Sequence, residues 1–92
     1  MSYMLEVYYR APADPRREAE LTSQVVALGG RLDFREEPPE QEGASQAVVL
    51  TFEFEDWSKA EAAADLLLRQ GEHVEGPCDY GESTEPTLDQ KK

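Results

Sequence analysis

The stretch AVVLTFEFED (residues 47–56) decides the fold. Apolar side chains occupy every second position, at Val48, Leu50, Phe52 and Phe54. The positions between them become polar and end in Glu53 and Glu55. A period of two predicts a β-strand with one buried face and one face turned away from the core. The segments on either side then indicate what covers the buried face.

The segments before this strand predict a strand, a helix and a second strand. YMLEVYY (residues 3–9) alternates with the same period of two. Asp14-Pro15 predicts a helix cap, and Gly29-Gly30 predicts the end of that helix. RLDFRE (residues 31–36) alternates again. The acidic, proline-containing segment that follows, up to residue 46, predicts a loop.

The segments after the strand predict a helix and a short final strand. Asp56 is the expected cap of the helix and Gly71 its expected end. EHVEG (residues 72–76) predicts a strand, followed by a turn at Gly76-Pro77 and Tyr80-Gly81. Residues 82–92 are very polar and predict a disordered tail. The expected apolar stripe of the helix consists of Trp57, Ala60, Ala64, Leu67 and Leu68.

The order β-α-β-β-α-β predicts an α+β fold, a ferredoxin-like βαββαβ two-layer sandwich in residues 1–81. Its four-stranded antiparallel sheet has the strand order 4-1-3-2, and both helices pack on one face. The predicted strand residues of the core are Leu5, Val7, Leu32, Phe34, Leu50, Phe52, Phe54 and Val74.

Composition narrows the classes of partner. Among 92 residues, 20 are acidic and 9 are basic, which gives a formal charge of -11. Such a chain repels phosphate backbones and anionic membranes, so we expect no nucleic-acid and no membrane partner. The outward positions of the third strand also lack the basic and aromatic residues with which a similar fold binds RNA. A basic protein partner suits the charge better.

Other sequence features point to a cytoplasmic protein without a cofactor. No apolar run approaches the ~20 residues of a membrane span, and the N-terminus lacks the pattern of a secretory signal. The single cysteine, Cys78, cannot form an internal disulfide. Acidic residues surround Cys78, whereas a nucleophilic cysteine needs an electropositive setting. We therefore expect a passive cysteine in a turn, and we assign no catalytic residue and no metal ligand set.

The sheet face without helices is the candidate binding surface. Alternation places Met4, Val49, Thr51 and the charged strand residues Arg31, Asp33 and Arg35 on it. Its candidate binding cluster consists of Glu6, Tyr8, Arg10, Glu53, His73 and Glu75.

Three interpretations of this surface remain open. In the first, Glu6 pairs with His73, arginines neutralise the other carboxylates, and the role is structural. In the second, Met4, Tyr8 and Val49 form an apolar patch that a second copy covers, giving a sheet-to-sheet or edge-to-edge homodimer. In the third, the protein is a small enzyme or metal-binding protein that uses His73 with Glu6, Glu53 and Glu75.

The chain carries two resemblances to known families. Through ADPRREAEL, VVALGGRLDF and FEFEDWSKAEAAADLLLRQGEHV, the run from Tyr3 to Gly76 resembles an ACT-type regulatory domain. The resemblance implies a small effector bound at the turn after the first strand, at Asp14 and the backbone from Ala13 to Arg16. Arg16 stands where that family has a glycine. The second half is also similar to small acidic inhibitors of RNase E, which engage a basic surface. Together these features favour a non-enzymatic binding or regulatory domain, expected to form a homodimer through the sheet face without helices or to bind a ligand there. The alternatives are the small enzyme or metal-binding protein described above and an acidic inhibitor of a basic protein.

Overall fold

The computed structural model describes residues 2–37 and 47–80. Four strands form one antiparallel sheet in the order β2-β3-β1-β4, which is the predicted order read from the opposite edge. The predicted α+β class with a four-stranded antiparallel sheet and two helices is confirmed. The tail at 82–92 and most of the predicted loop, at 38–46, lie outside the described residues. The elements are β1 (Ser2–Arg10), α1 (Pro15–Ala27), β2 (Arg31–Glu36), β3 (Ala47–Phe54), α2 (Trp57–Arg69) and β4 (His73–Tyr80).

The predicted signals begin and end both helices. The Asp14 carboxylate accepts a hydrogen bond from the Arg17 backbone N–H, and Asp56 accepts one from the Ser58 N–H. Each satisfies a backbone donor that has no partner within the helix. Gly29 and Gly71 follow the helices with φ of 96° and 92°, in the left-handed region that glycine adopts without a steric cost.

The core lies between the helices and one face of the sheet. Alternate residues of β1 and β3 are fully buried there, together with one stripe of each helix. Because the buried apolar residues of β1 and β3 are cross-strand partners and lie on one side of the sheet, both helices pack on that side. The opposite side, which we call the open face, has no helix against it in the described structure. The buried apolar residues of this core are Leu5, Val7, Tyr9, Leu21, Val25, Val48, Leu50, Phe52, Phe54, Ala60, Ala63, Ala64 and Leu67.

A β-bulge in β2 overturns part of the predicted core. Leu32 pairs with Phe52, but the next pair is Phe34 with Thr51, so Asp33 is an extra residue in the ladder. An extra residue reverses the side on which the following side chains lie. Phe34 therefore lies on the open face and is 56% exposed, and its predicted place in the core is wrong.

The same bulge moves Arg35 to the helix side, although alternation placed it on the open face. Arg35 pairs with Leu50 in the ladder, and its guanidinium binds the α1 carboxylate of Glu18 at 2.7 Å. The arginine thus ties the edge strand β2 to α1 and does not neutralise open-face carboxylates.

A second bulge lengthens β4 beyond its predicted end. Glu75 pairs with Glu6 and Cys78 with Met4, so one extra residue lies in β4 at Gly76-Pro77. Gly76 has a φ of 104°, and a Cβ there would lie 2.8 Å from the Met4 carbonyl oxygen. The expected turn at Gly76-Pro77 is therefore wrong, and Cys78 lies within a strand on the open face.

Some other predicted core residues lie at the margins of the sandwich. Leu32 is partly exposed because β2 is an edge strand, and Val74 of the other edge strand is half-buried. Trp57 is partly exposed at the start of α2, with its ring edge-to-face to Tyr3 at 5.3 Å. Leu68 is 54% exposed, so it does not belong to the buried stripe of α2.

Candidate functional site

The open face consists of cross-strand rows that the two bulges bring into register. Residues directly opposite on neighbouring strands lie close enough for their side chains to interact. The predicted cluster residues Glu6, Tyr8, Glu53, His73 and Glu75 all lie in these rows, and Arg10 is exposed at the end of β1 beyond them. From β4 through β1 and β3 to β2, the rows are His73-Tyr8-Val49-Glu36, Glu75-Glu6-Thr51-Phe34 and Cys78-Met4-Glu53-Arg31.

One corner of the open face joins Tyr8, Glu6, His73 and Glu75; we call it the Tyr8 corner. The Tyr8 hydroxyl donates a hydrogen bond to Glu6 Oε1 at 2.9 Å, and the Tyr8 and His73 rings meet edge-to-face at 5.3 Å. His73 Nε2 lies 3.0 Å from Glu75 Oε2. The expected pair of Glu6 with His73 is therefore not formed, because each has another partner.

Negative charge concentrates at the Tyr8 corner. Glu6 and Glu75 are direct cross-strand partners, an arrangement that is unfavourable for two like charges. The pKa of the Tyr8 hydroxyl is raised, first by its hydrogen bond to Glu6, then by burial and by the charges of Glu6, Glu75 and Glu36.

The other side of the open face is partly neutralised. The Arg31 guanidinium lies 2.7 Å from Glu53 Oε1 and 3.9 Å from Glu55 Oε2. Tyr80, on the edge strand β4, donates a hydrogen bond across the face to Asp33 on the opposite edge strand. This bond raises the pKa of the Tyr80 hydroxyl most, followed by burial and the charge of Asp33, Glu53 and Glu6.

An apolar patch lies next to these carboxylates. Phe34 projects from the edge strand β2, and Val49 of β3 and Met4 of β1 are half-buried on the same face. Between them Thr51, predicted to be outward, is only 5% exposed because larger side chains surround it. Sequence reasoning did not include Phe34 in the site, since RLDFRE alternates regularly and gives no signal of a bulge.

The four residues of the metal or catalytic interpretation are only partly brought together, because Glu6, His73 and Glu75 share the Tyr8 corner whereas Glu53 lies in another row. Within residues 2–37 and 47–80, no three His, Cys, Asp or Glu side chains are placed to hold a metal ion. His73 contacts Glu75, and Glu53 is paired with Arg31. Cys78 is exposed beside Met4, and His73 pairs instead with Tyr8 further along the strand.

The predicted effector turn at Asp14 is occupied by contacts within the chain. Besides capping α1, Asp14 donates its backbone N–H to the Tyr9 hydroxyl at 2.7 Å. The Tyr9 hydroxyl donates in turn to Glu18, which also accepts two hydrogen bonds from Arg35 at 2.7 and 3.1 Å. Arg17 lies over the Tyr9 ring, with its guanidinium carbon 4.9 Å from the ring centre. These contacts link β1, α1 and β2.

The ionisation of this network follows its hydrogen bonds. Arg35 lowers the pKa of Glu18, burial opposes this, and the Tyr9 hydroxyl lowers it further. Burial raises the pKa of Tyr9, and the bond to Glu18 adds to the increase. Glu18 is thus held as a carboxylate by two donors, which suits a structural link.

Comparison of the chain with models of protein families, with curated proteins and with solved structures finds no match. In the described part of the chain, no helix is long and apolar enough to cross a membrane.

Proposed function

We propose that the protein is a non-enzymatic binding domain of ferredoxin-like type whose open face docks a protein partner. The observation that carries the proposal is Phe34, a residue that is 56% exposed on a sheet face against which no helix packs in the described structure. Exposed aromatic side chains beside half-buried apolar ones are typical of the centre of a protein interface. Met4, Val49 and Tyr8 supply the half-buried neighbours.

The sheet edges are less suited to binding than the open face. Both edge strands carry a bulge, at Asp33 in β2 and at Gly76-Pro77 in β4. Bulges interrupt the regular row of backbone donors and acceptors, and proline contributes no N–H at all. Such features prevent another strand from adding to an edge. A partner is therefore expected to cover side chains of the open face.

Charge favours a basic partner over a second copy of the chain. A face-to-face homodimer would bring two sets of carboxylates, including Glu6, Glu53 and Glu75, into one partly desolvated interface. Burying like charges together is costly, whereas an oppositely charged surface gains both attraction and rate of encounter. A cytoplasmic setting remains part of the proposal because it keeps the exposed thiol of Cys78 reduced.

The test is selection of binding peptides from a random displayed library against the immobilised protein. Phe34→Ala is the test variant, and Leu68→Ala is its matched control, since Leu68 on α2 is exposed to nearly the same degree. We expect selected peptides to bind Phe34→Ala at least about tenfold more weakly, as for a central interface residue. Binding to Leu68→Ala should be unchanged.

The proposal fails if no selected peptide depends on Phe34, or if the two substitutions weaken binding equally. Light scattering of the unliganded protein tests whether a second copy of the chain covers the open face instead. A dimer that Phe34→Ala dissociates and Leu68→Ala does not would make a second copy the partner and overturn the basic-partner assignment. Circular dichroism of both variants verifies that each remains folded.

A further inference from the structure

Given the proposed function, we infer that the Tyr8 corner recognises an arginine side chain of the protein partner. The partner surface is then basic and carries at least one arginine that seats against the Tyr8 ring and the carboxylates of Glu6 and Glu75. The first support comes from the way this chain binds its own arginines.

On the helix side, a tyrosine and a glutamate already hold arginines. Tyr9 donates its hydroxyl to Glu18, and the Arg17 guanidinium lies over the Tyr9 ring at 4.9 Å. The planar Arg35 guanidinium then makes two hydrogen bonds to Glu18. Stacking on a ring and forked hydrogen bonding to a carboxylate are the two contacts that suit a guanidinium.

On the open face, Tyr8 and Glu6 repeat the tyrosine–glutamate hydrogen bond. The Tyr8 hydroxyl donates to Glu6 at 2.9 Å, and Glu75 stands directly opposite Glu6 on β4. Among the described residues no arginine or lysine forms an ion pair with Glu6. Arg31 shows that a guanidinium fits this surface, since it binds Glu53 at 2.7 Å in the adjacent row.

The charges of the open face determine the sign of the charge that a ligand should carry. The rows of the open face hold Glu6, Glu36, Glu53 and Glu75, and they contain one arginine, Arg31, and no lysine; Arg10 lies beyond them at the end of β1. An arginine from the partner would reduce the repulsion between Glu6 and Glu75, a gain that a neutral ligand does not provide. Phe34 lies in the same row as Glu6, two strands away, and would contact the apolar part of the partner.

Arginine is favoured over lysine by the groups at the corner, which are a ring and two carboxylates. An ammonium group is compact and strongly hydrated, and it cannot make forked contacts to a carboxylate. A guanidinium bridges two acceptors in its plane while its flat face rests on a ring. We therefore expect the corner to bind arginine more tightly than lysine, although the two carry the same charge. A diffuse negative field would attract both equally.

The experiment uses the peptides selected against the full chain, each also synthesised with every arginine replaced by lysine. Affinities are measured by calorimetry for the unsubstituted protein, Glu6→Gln and Glu61→Gln. Glu61 is an exposed residue of α2, so its substitution makes the same change in net charge away from the open face. We expect about a tenfold loss on changing arginine to lysine, and a similar loss for Glu6→Gln. Glu61→Gln should cause a much smaller loss that disappears at high salt.

Two results overturn the inference: arginine and lysine peptides of equal affinity, or equal losses for Glu6→Gln and Glu61→Gln. Either result leaves the proposed function in place provided that the peptides still depend on Phe34. If no peptide depends on Phe34, the proposed function itself fails. Comparison of amide chemical shifts between the free protein and the complex locates the bound peptide. The largest changes are expected in β1 and β4, around Tyr8, Glu6 and Glu75.

Discussion

Replacing Gly30 with alanine tests how closely the start of β2 is packed against the core. A Cβ at this position would lie 2.6 Å from two ring carbons of Phe54 and 2.7 Å from Val25 Cγ1. Carbon atoms normally pack at about 3.5–4.0 Å, so the added methyl group overlaps its neighbours by roughly 1 Å. Both neighbours are fully buried, and neither can rotate into solvent.

The expected cost follows from this overlap. Forcing extra atoms into a packed core typically costs about 1–3 kcal/mol, and contact with two immobile groups predicts about 2–3 kcal/mol for Gly30→Ala. A domain of this size unfolds with about 5–15 kcal/mol, so the substitution removes a substantial part of its stability. The melting temperature should fall by about 10–20 °C.

Gly71→Ala is the control that separates steric overlap from backbone conformation. Gly71 has a φ of 92° and nothing within 4 Å of its added Cβ, so alanine there costs only about 1 kcal/mol for the left-handed backbone. Gly30 has no positive φ, and its cost is purely steric. Urea unfolding followed by Trp57 fluorescence and circular dichroism measures both variants. A Gly30→Ala protein as stable as Gly71→Ala would refute the packing argument.

Two further predictions concern ionisation. Glu18 has a lowered pKa in the folded protein, so its contribution is present above the unfolded value of about 4.3 and is lost as pH falls through the folded pKa. Glu18→Gln should therefore be less stable than the parent protein near neutral pH, and the difference in stability should narrow in acid. Urea unfolding of both proteins between neutral and acidic pH measures this difference. A difference that stays constant with pH contradicts the prediction. Glu6→Gln should lower the raised pKa of Tyr8 towards 10, because the charge of Glu6 is removed and the hydrogen bond that the phenol donates to it is changed. A ring-resonance titration of Tyr8 by NMR measures this shift, with Tyr80 as an internal reference expected to move less.

The order of elements and the helix boundaries were predictable because their signals are local. Strict alternation in residues 47–54 makes a half-buried strand, whatever lies elsewhere in the chain. Asp14, Asp56, Gly29 and Gly71 act on backbone groups within one helical turn, and each occupies its expected position. The strand order followed from these elements because right-handed crossovers leave few arrangements.

The candidate site was predictable only where alternation continued without interruption. Glu6 and Tyr8 lie on the open face because β1 alternates regularly, and His73 lies there because it precedes the bulge of β4. Phe34 and Cys78 could not be placed by counting, since each follows an extra residue in its ladder. A bulge depends on which residue of the neighbouring strand forms the next hydrogen bond, and a single segment does not contain that information.

Gly30 shows the same division on a smaller scale. The sequence by itself determined that Gly29-Gly30 stops α1, because a left-handed residue after a helix is a local requirement. Only the tertiary structure decided that the second glycine has another role, since the ring in contact with Gly30 is that of Phe54, which lies on the neighbouring strand β3 but is distant in the sequence. The same reason applies to the open face. Local chemistry determined its carboxylates and strands, whereas pairing between distant strands decided which aromatic ring and which arginine lie beside them.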